Sequence, residues 1–345
     1  MSTIKDVAAA AGVAPSIVSR LLNGDPTVRV RPETRRRVLA VASELDYTPN
    51  RAARALRGAR VGAIGVALRH LTSPVYAQIF SGAEEEARLA DFLLVAIELD
   101  SLAADPGAFR RFVRGGAIDG ILLQQDGLPA DDVVMANVAA THLPFVLVNE
   151  RVDPPQFGVA LDDVEASRLA TAHLLALGHA DIAHLGIGGT TRRAKDRVAG
   201  WQQALENVGL AAPSEMVAVG GSQPETGYAG MMELLANRPR PTGVVAGTIL
   251  AAIGALKAIS SAGLEVPGDI SIVTHHDSWS AEYATPSLTS VRLPLELLGR
   301  HAVRLLIDRL DGAPSRQELL TDPAPQLIPR GSTAPPRHVK PGRQR

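Results

Sequence analysis

The chain has 345 residues, of which 46% are hydrophobic and 21% are charged, and it contains no cysteine. This length and composition are typical of a soluble globular protein with two or three domains. The lack of cysteine excludes disulfides, thiol catalysis and cysteine metal sites. No apolar run approaches the ~18 residues of a membrane span, and the first residues contain no apolar signal-peptide core. We therefore expect a cytoplasmic protein.

The net charge of −1 hides a division of the chain into a basic and an acidic part. Residues 1–60 carry 11 Lys and Arg against 5 Asp and Glu, a net charge of +6. The remainder carries 24 against 31, a net charge of −7. A basic head on an acidic body is typical of a protein that binds DNA through the head and uses the body for another purpose.

Residues 3–24 predict two short helices. Thr3 is a favourable N-cap, Gly12 interrupts the helical pattern, and the second helix ends near Asn23. This spacing is typical of a helix-turn-helix. A third helix is expected from Pro32, because proline is favoured at a first helical position. The apolar residues that should close a small core between the three helices are Ile4, Val7, Val13, Val18, Leu22, Val38, Val41, Ala42 and Leu45.

Residues 47–58 form a second distinctive segment. Asn50 can cap a helix, Gly58 can end it, and an arginine recurs at every third position between them. A helix this short is barely stable alone in water. We expect it to order only against DNA and a partner subunit.

From Val61 onward, short apolar runs alternate with helical segments, as in parallel sheets covered by helices. The first half has predicted strands at 61–68, 92–97, 119–124 and 145–148 and helices at 77–90, 109–115 and 130–140. The second half is expected from about Gly158, with strands at 182–186, 216–219, 243–246 and 270–274 and helices at 164–177, 194–208, 225–236 and 250–262. Two doubly wound halves with a cleft between them form a clamshell.

The pairing of segment 3–23 with segment 47–58 closely resembles the lactose-repressor family of bacterial transcription regulators, and the resemblance covers nearly the whole chain. It implies a small all-α helix-turn-helix head and an α/β periplasmic-binding-protein-like clamshell of two doubly wound parallel-sheet subdomains. The implied division is a DNA-binding domain at 1–46, a hinge helix and linker at 47–60, an N-subdomain at 61–157 plus about 291–325, and a C-subdomain at 158–290. The Pro-rich basic tail, 334–345, is expected to be disordered.

The resemblance also implies which residues contact DNA. The recognition helix would read bases, and the hinge helix would insert Leu56 into the minor groove as an apolar wedge. The expected base-reading residues are Pro15, Ser16 and Arg20, Ser19 and Asn23 would contact phosphates, and Thr3, Asn50, Ala53, Arg54 and Leu56 complete the DNA-binding set. The alternative for either segment alone is an ordinary amphipathic helical hairpin with solvated arginines.

The head departs from the commonest family form between Asn23 and Pro32. The turn there is two residues longer, and Arg31 stands where a serine N-cap is usual. The third helix should therefore lack a side-chain cap, at a cost of about a kilocalorie per mole of local stability.

The resemblance places a small-molecule effector in the cleft, where Arg197 matches the family's effector-binding arginine. The other expected ligand-binding residues are Arg69, Val75, Tyr76, Asn149, Asp162, Arg193, Ser222, Thr248 and His276. An acid that is frequent in the family is replaced by His276, and two further arginines are present, so an anionic sugar derivative is one expectation. The alternative is a neutral ligand, with the cations neutralised by Asp162, Asp163 and Asp277.

Signals for catalysis are weak. The turn from Gly186 to Gly189 lacks the full spacing of a nucleotide-binding motif. His275 and His276 are adjacent on a predicted strand and point to opposite sides, so they cannot easily share a metal ion. We therefore predict no metal, cofactor or catalytic residues.

The favoured function is a homodimeric regulator, most often a repressor in this family, that binds a palindromic DNA operator. A solute-binding protein that uses the clamshell alone and an enzyme are the competing classes.

Overall fold

The computed structural model describes residues 2–22, 27–47 and 60–337. The expected DNA contacts that lie outside these residues are Asn23, Asn50, Ala53, Arg54 and Leu56. The chain divides into two compact units, Met1–Gly62 and Ala63–Arg345. No helix within the described ranges is both long and apolar enough to cross a membrane.

The smaller unit contains the three predicted helices: α1 (Ile4–Ala11), α2 (Pro15–Leu22) and α3 (Pro32–Glu44). Thr3 and Asp6 form a capping box at the start of α1, in which each side chain accepts a hydrogen bond from the other residue's backbone N–H. Gly12 ends α1 with a φ of 60°, a left-handed conformation that glycine adopts without a steric penalty.

The three helices of this unit enclose a small apolar core. Val7, Val18 and Val38 are completely buried, one from each helix. The backbone of Arg31 occupies the N-cap position of α3 and its side chain makes no capping hydrogen bond, as the sequence predicts.

The larger unit contains two six-stranded sheets, and its elements follow in chain order. They are β1 (Ala63–Leu68), α4 (Pro74–Leu89), β2 (Leu93–Glu98), α5 (Leu99–Ala104), α6 (Pro106–Arg114), β3 (Gly120–Leu123), α7 (Pro129–Thr141), β4 (Phe145–Val148), β5 (Gly158–Leu161), α8 (Asp163–Ala176), β6 (Ile182–Gly186), α9 (Arg192–Glu206), β7 (Val217–Val219), α10 (Pro224–Leu235), β8 (Gly243–Ala246), α11 (Ile249–Ser261), β9 (Ser271–His275), α12 (Trp279–Glu282), β10 (Thr289–Arg292), α13 (Leu295–Leu310), β11 (Gln317–Leu320) and β12 (Gln326–Ile328).

Each sheet with its helices forms one lobe. The strand order is β11-β5-β4-β3-β1-β2 in the first lobe and β12-β10-β9-β8-β6-β7 in the second. All neighbouring strands run parallel except β12, which pairs antiparallel to β10. The central strands β1, β3, β8 and β9 are buried along their whole length, which explains their continuous apolar sequences. The expected clamshell of two doubly wound lobes is confirmed.

The first lobe extends further along the chain than the predicted boundary at residue 158. Strand β5 pairs with β4 and with β11, so residues 158–161 belong to the first sheet, and residues 289–292 belong to the second. The sequence Gly-Val-Ala-Leu suits a buried strand in either sheet. Its partner β11 lies more than 150 residues later, where a local pattern cannot reveal the pairing.

The start of the tail, which we expected to be disordered, is bound to the second lobe. The backbone of Ala334 exchanges hydrogen bonds with the Ser271 hydroxyl, and its carbonyl also accepts one from His179 Nε2. Arg337 then pairs with Glu265 at 2.8 Å. Composition predicts disorder poorly here, because backbone groups rather than side chains make most of the contacts.

Three pairs of helices pack so closely that a glycine backbone meets the neighbouring helix. A Cβ atom on Gly200 of α9 would overlap the Val164 carbonyl of α8, and Gly254 of α11 and Gly299 of α13 have equivalent contacts with α10 and α4. These positions let the paired helices lie on one face of a sheet at short separation.

We expect Gly200→Ala to lower the free energy of unfolding by at least about 2 kcal/mol, because the added methyl group must push α8 away from α9. The direction of this stability change is informative, because replacing glycine by alanine within a helix ordinarily raises stability. Thermal unfolding measures the effect, and Gly331→Ala is the control, with its nearest neighbouring atom 3.4 Å away. An unchanged melting temperature for Gly200→Ala would contradict this packing.

Candidate functional site

The carboxyl ends of strands from both lobes meet around an internal cavity of about 300 Å³. Ligands of doubly wound folds bind at this edge of the sheet, so the cavity is the candidate effector site. Nine of the ten residues expected to bind a ligand line it: Arg69, Val75, Tyr76, Asn149, Arg193, Arg197, Ser222, Thr248 and His276.

Asp162 is the exception. It precedes α8, and its Oδ1 atom accepts a hydrogen bond from Glu165 N at 3.0 Å, so the side chain caps the helix. The next residue, Asp163, points towards Arg197 instead. Two consecutive aspartates between a strand and a helix suit both roles, and the sequence alone does not assign them.

Arg197 is 1% exposed, and each of its nitrogens has a partner. Nε donates to Asp163 Oδ1 at 2.7 Å, Nη1 donates to Gly247 O, and Nη2 donates to His276 Nε2 at 3.2 Å. Burial raises the pKa of Asp163 and lowers that of Arg197, and the attraction between the two groups opposes both shifts. The ion pair and its hydrogen bonds therefore fix one arrangement of the cavity floor.

The contact with Arg197 also fixes the tautomer of His276. A guanidinium can only donate, so Nε2 accepts and the proton lies on Nδ1. Burial first, and then the charge of Arg197, lowers the pKa of His276 well below its ordinary value, so the ring is neutral at pH 7. Nδ1 is buried and has no hydrogen-bond partner among the described residues.

Two more neutral histidines lie behind His276. Burial, helped by the charge of Arg197, lowers the pKa of His184 to about 3, and it lowers the pKa of His275 well below the ordinary value. His275 contacts Ser167 through Nε2 at 3.2 Å. Both rings are completely buried and uncharged, and neither lines the cavity.

One buried ion pair joins the two lobes across the cavity. Arg193 of α9 donates from Nη2 to Asp126 Oδ1 at 2.6 Å and to Gln125 O at 3.2 Å, and both acceptors follow β3 in the first lobe. Burial alone would lower the pKa of Arg193, but nearby acids, Asp126 foremost, raise it above its ordinary value. This contact helps to hold the lobes together, as does the ion pair of Arg151 with Asp196 at 3.3 Å.

Arg69 continues the charge network within the first lobe. Its Nε atom lies 3.2 Å from Asp126 Oδ2, its Nη2 atom lies 2.6 Å from Asp131 Oδ1, and it also pairs with Asp100. Arg69 and Asp131 are 5% and 3% exposed, so this pair is screened little by solvent, whereas the side chain of Asp100 is half exposed.

Every arginine of the cavity therefore has a carboxylate partner. The partners of the three arginines are Asp100, Asp126, Asp131 and Asp163. Asp277, which we considered as a neutralising group, instead pairs with Arg292 at 2.7 Å and Arg330 at 2.8 Å. The contacts agree with the alternative in which carboxylates neutralise the arginines of the cleft. Of the three acids considered for that role, only Asp163 pairs with one of these arginines.

Three non-glycine residues of the cavity wall have left-handed backbones. The φ angles are 59° at His70, 55° at Asn149 and 68° at His276, each just beyond the end of a strand. Such conformations are uncommon outside glycine and are frequently found at functional sites. They support the choice of this cavity over a wider groove of about 640 Å³ lined by Arg151, Arg192 and Lys195.

Sequence reasoning missed Gln124. This residue directly follows β3, is 4% exposed, lines the cavity, and has no hydrogen-bond partner for its Oε1 atom among the described residues. Its Nε2 atom lies 3.4 Å from the Tyr76 hydroxyl. The useful signal was its position, since a polar residue after a buried parallel strand faces the ligand edge.

The head presents several of the expected DNA-binding residues on its surface. Pro15, Ser16 and Arg20 of α2 are exposed, whereas Ser19 is only 9% exposed. Thr3 is exposed and caps α1. The exposed residues suit a surface that contacts DNA, and Ser19 has less surface to offer a phosphate.

The head and the larger unit both match known families. Residues 3–50 match the bacterial regulatory proteins of the lacI family, and residues 171–333 match the periplasmic binding protein-like domain. The transcriptional repressor PurR of Erwinia tasmaniensis is 33% identical over 339 residues, which cover 97% of each chain. The chain belongs to the lacI family.

Other relatives agree with this family. The transcriptional regulator DegA of Bacillus subtilis is 31% identical over 97% of the chain and 98% of its own. The lac repressor dimer bound to operator and the anti-inducer ONPF superposes with a TM-score of 0.75 at 27% identity, covering 96% of this chain and 99% of that one. The regulator CelR in complex with cellobiose has a TM-score of 0.72 at 29% identity over 96% and 100% of the two chains.

We expect Arg193→Gln to increase the radius of gyration of the ligand-free protein in small-angle X-ray scattering. The substitution removes the buried ion pair between the lobes, while Asp126 keeps Arg69 as a partner. Arg192→Gln is the control, because Arg192 is adjacent, largely exposed, and paired with Asp196 within its own lobe. Identical scattering from wild type and Arg193→Gln would show that other contacts keep the lobes closed.

Proposed function

We propose that this lacI-family regulator binds a palindromic operator as a homodimer and that a neutral small molecule in the cleft controls the binding. One observation carries the proposal. The same chain contains a helix-turn-helix with an exposed recognition surface and a two-lobed unit with an internal cavity. Such a protein acts on DNA and hence in the cytoplasm. A solute-binding protein has no need of the head, and the proposal assigns no catalytic role.

Dimerisation follows from the geometry of the operator. One recognition helix reads only a half-site, so two copies related by a twofold axis match a palindrome. The larger unit offers an apolar surface for self-association, because Trp279 and Tyr283 lie four residues apart at α12 and are 67% and 77% exposed. Large exposed aromatic residues are enriched in protein interfaces.

The charge balance of the cavity favours a neutral effector over an anionic one. An anion would have to compete with carboxylates already paired with Arg69, Arg193 and Arg197. Gln124 and His276 both line the cavity, and Gln124 Oε1 and His276 Nδ1 have no hydrogen-bond partner among the described residues. A sugar presents hydroxyl groups that both donate and accept, and a relative has been solved with cellobiose.

We expect Arg20→Ala to weaken binding to the cognate operator by roughly 5- to 150-fold and to weaken binding to random DNA much less. The reason is that a bidentate arginine contact to guanine discriminates by ~1 to 3 kcal/mol. Titrations with both DNAs at one fixed salt concentration measure the ratio, and Ser16→Ala should act in the same direction. Equal losses on the two DNAs would make Arg20 a phosphate contact.

We expect a thermal-shift screen to find stabilisation by neutral sugars and not by their phosphates or acids. A ligand at ~100 times its dissociation constant adds ~2.7 kcal/mol of stability. Gln124→Leu is the matched variant, because it replaces an unpaired buried acceptor and should keep the stability of the free protein while losing the sugar. Stabilisation by anions alone, retained in Gln124→Leu, would contradict a neutral effector.

A further inference from the structure

The exposed residues of the cavity lining mark the place where the cavity opens to solvent. Most lining side chains are buried or half-buried, but Leu128 of the first lobe is exposed, and so are Gly189, Val219 and Thr226 of the second. Leu128 is 43% exposed and Val219 is 60% exposed. The mouth of the cavity therefore lies between the end of β3 in one lobe and the ends of β6 and β7 in the other.

A thin wall at this mouth separates the cavity from the wider groove of about 640 Å³. Asp126 and Gly189 line the cavity, whereas their neighbours Gly127 and Thr190 line the groove. Leu128 lines both spaces. Because consecutive residues line opposite spaces, the wall is a single chain segment thick on each lobe, and neither segment is helix or strand.

The two wall segments touch through their backbones, and glycine makes this contact possible. A Cβ atom on Gly127 would lie 2.7 Å from the Thr190 nitrogen. A Cβ atom on Gly189 would overlap the carbonyl oxygen of Asp126. Both glycines also have a φ of 75°, which other residues rarely adopt. A side chain at either position would therefore push the two segments apart.

Polar contacts between the lobes flank the wall. Arg193 pairs with Asp126, as described above, and the backbone N–H of Arg192 donates to Glu150 Oε1 at 3.0 Å. None of these contacts is a strand pairing of either sheet. The wall can therefore part while both lobes keep their sheets.

We propose that residues 126–127 and 189–190 form a gate at the mouth of the cavity, and that a small molecule enters and leaves when the gate is open. The two glycines allow the gate to close, and closure slows the exchange of whatever the cavity holds. The inference rests on the proposed binding of a neutral small molecule in the cavity. It assigns the rate of exchange to the gate and leaves the choice of ligand to the cavity.

The test measures access to the cavity with a single introduced thiol, because the chain contains no cysteine. Ser73 lines the cavity and is 7% exposed, so Ser73→Cys places a thiol inside it. The probe is N-ethylmaleimide, a small neutral reagent, and mass spectrometry follows its addition. In this background Gly189→Ala should raise the labelling rate about 5- to 150-fold, because the added methyl group overpacks only the closed gate.

Gly188→Ala is the matched control. Gly188 has a φ of 73°, so alanine is equally strained there, but the atoms nearest its Cβ all belong to Val219 of the same lobe. Its labelling rate should stay near that of Ser73→Cys alone. Gly127→Ala, which overpacks the gate from the first lobe, should act like Gly189→Ala. Rates in Gly127→Ala and Gly189→Ala that both equal the control would overturn the gate.

A second thiol distinguishes opening of the gate from a general loss of stability. Ser167 of α8 is completely buried and does not line the cavity, so Ser167→Cys reports unfolding of the second lobe. Gly189→Ala should leave its labelling rate unchanged, and an equal rise at Ser73 and Ser167 would also overturn the gate.

The labelling experiment needs no effector, so its result is separate from the function on which the inference rests. A thermal-shift screen in which no neutral sugar stabilises the wild type contradicts the proposed effector. The labelling rates alone then decide whether the gate exists.

Discussion

The ion pair of Arg197 with Asp163 is the constraint on which the ligand cavity depends. Removing two charges from water is costly, and their attraction offsets that cost only when geometry and hydrogen bonding are good. Here the pair connects α9 with α8, and the remaining guanidinium nitrogens reach the ends of β8 and β9. Four separate elements are thereby held at fixed positions around one buried group, and the charge of Arg197 adds to burial in lowering the pKa of His276.

Because the charged groups of the cavity are paired with one another, a ligand must be recognised mainly by uncharged atoms. A ligand that donates a hydrogen bond to a buried acceptor such as Gln124 Oε1 avoids the free-energy cost of leaving that acceptor unpaired in the complex. Sites of this kind reject analogues that lack the matching hydroxyl, because binding such an analogue leaves buried polar atoms of the site unpaired. The charge network then has another role, since Arg193 and Asp126 link the lobes around whatever occupies the cavity.

The predictions of secondary structure were accurate where a local sequence pattern determines the structure. The predictions of tertiary contacts were poor where distant segments of the chain meet. Strands 145–148, 182–186 and 243–246 have the predicted bounds, because continuous apolar runs between helices mark buried parallel strands. Residues 158–161 belong to the first sheet because they pair with residues 317–320, and a local sequence pattern cannot predict this distant pairing. Likewise Arg193 was expected in the cleft, but its partner Asp126 belongs to the other lobe, so its neutralisation appeared only in three dimensions.

The order in which the strands pair also bears on how the protein is made. The first sheet is completed by residues 317–320 and the second by residues 326–328, so both lobes need the last part of the chain. During synthesis the small core of the head is complete once residue 47 has emerged, whereas each lobe has an unfilled sheet edge until residues 317–328 have emerged. Exposed edges and long-range parallel pairing are slow to resolve and prone to association. A nascent chain of this protein therefore carries a DNA-binding head well before it has a finished ligand site.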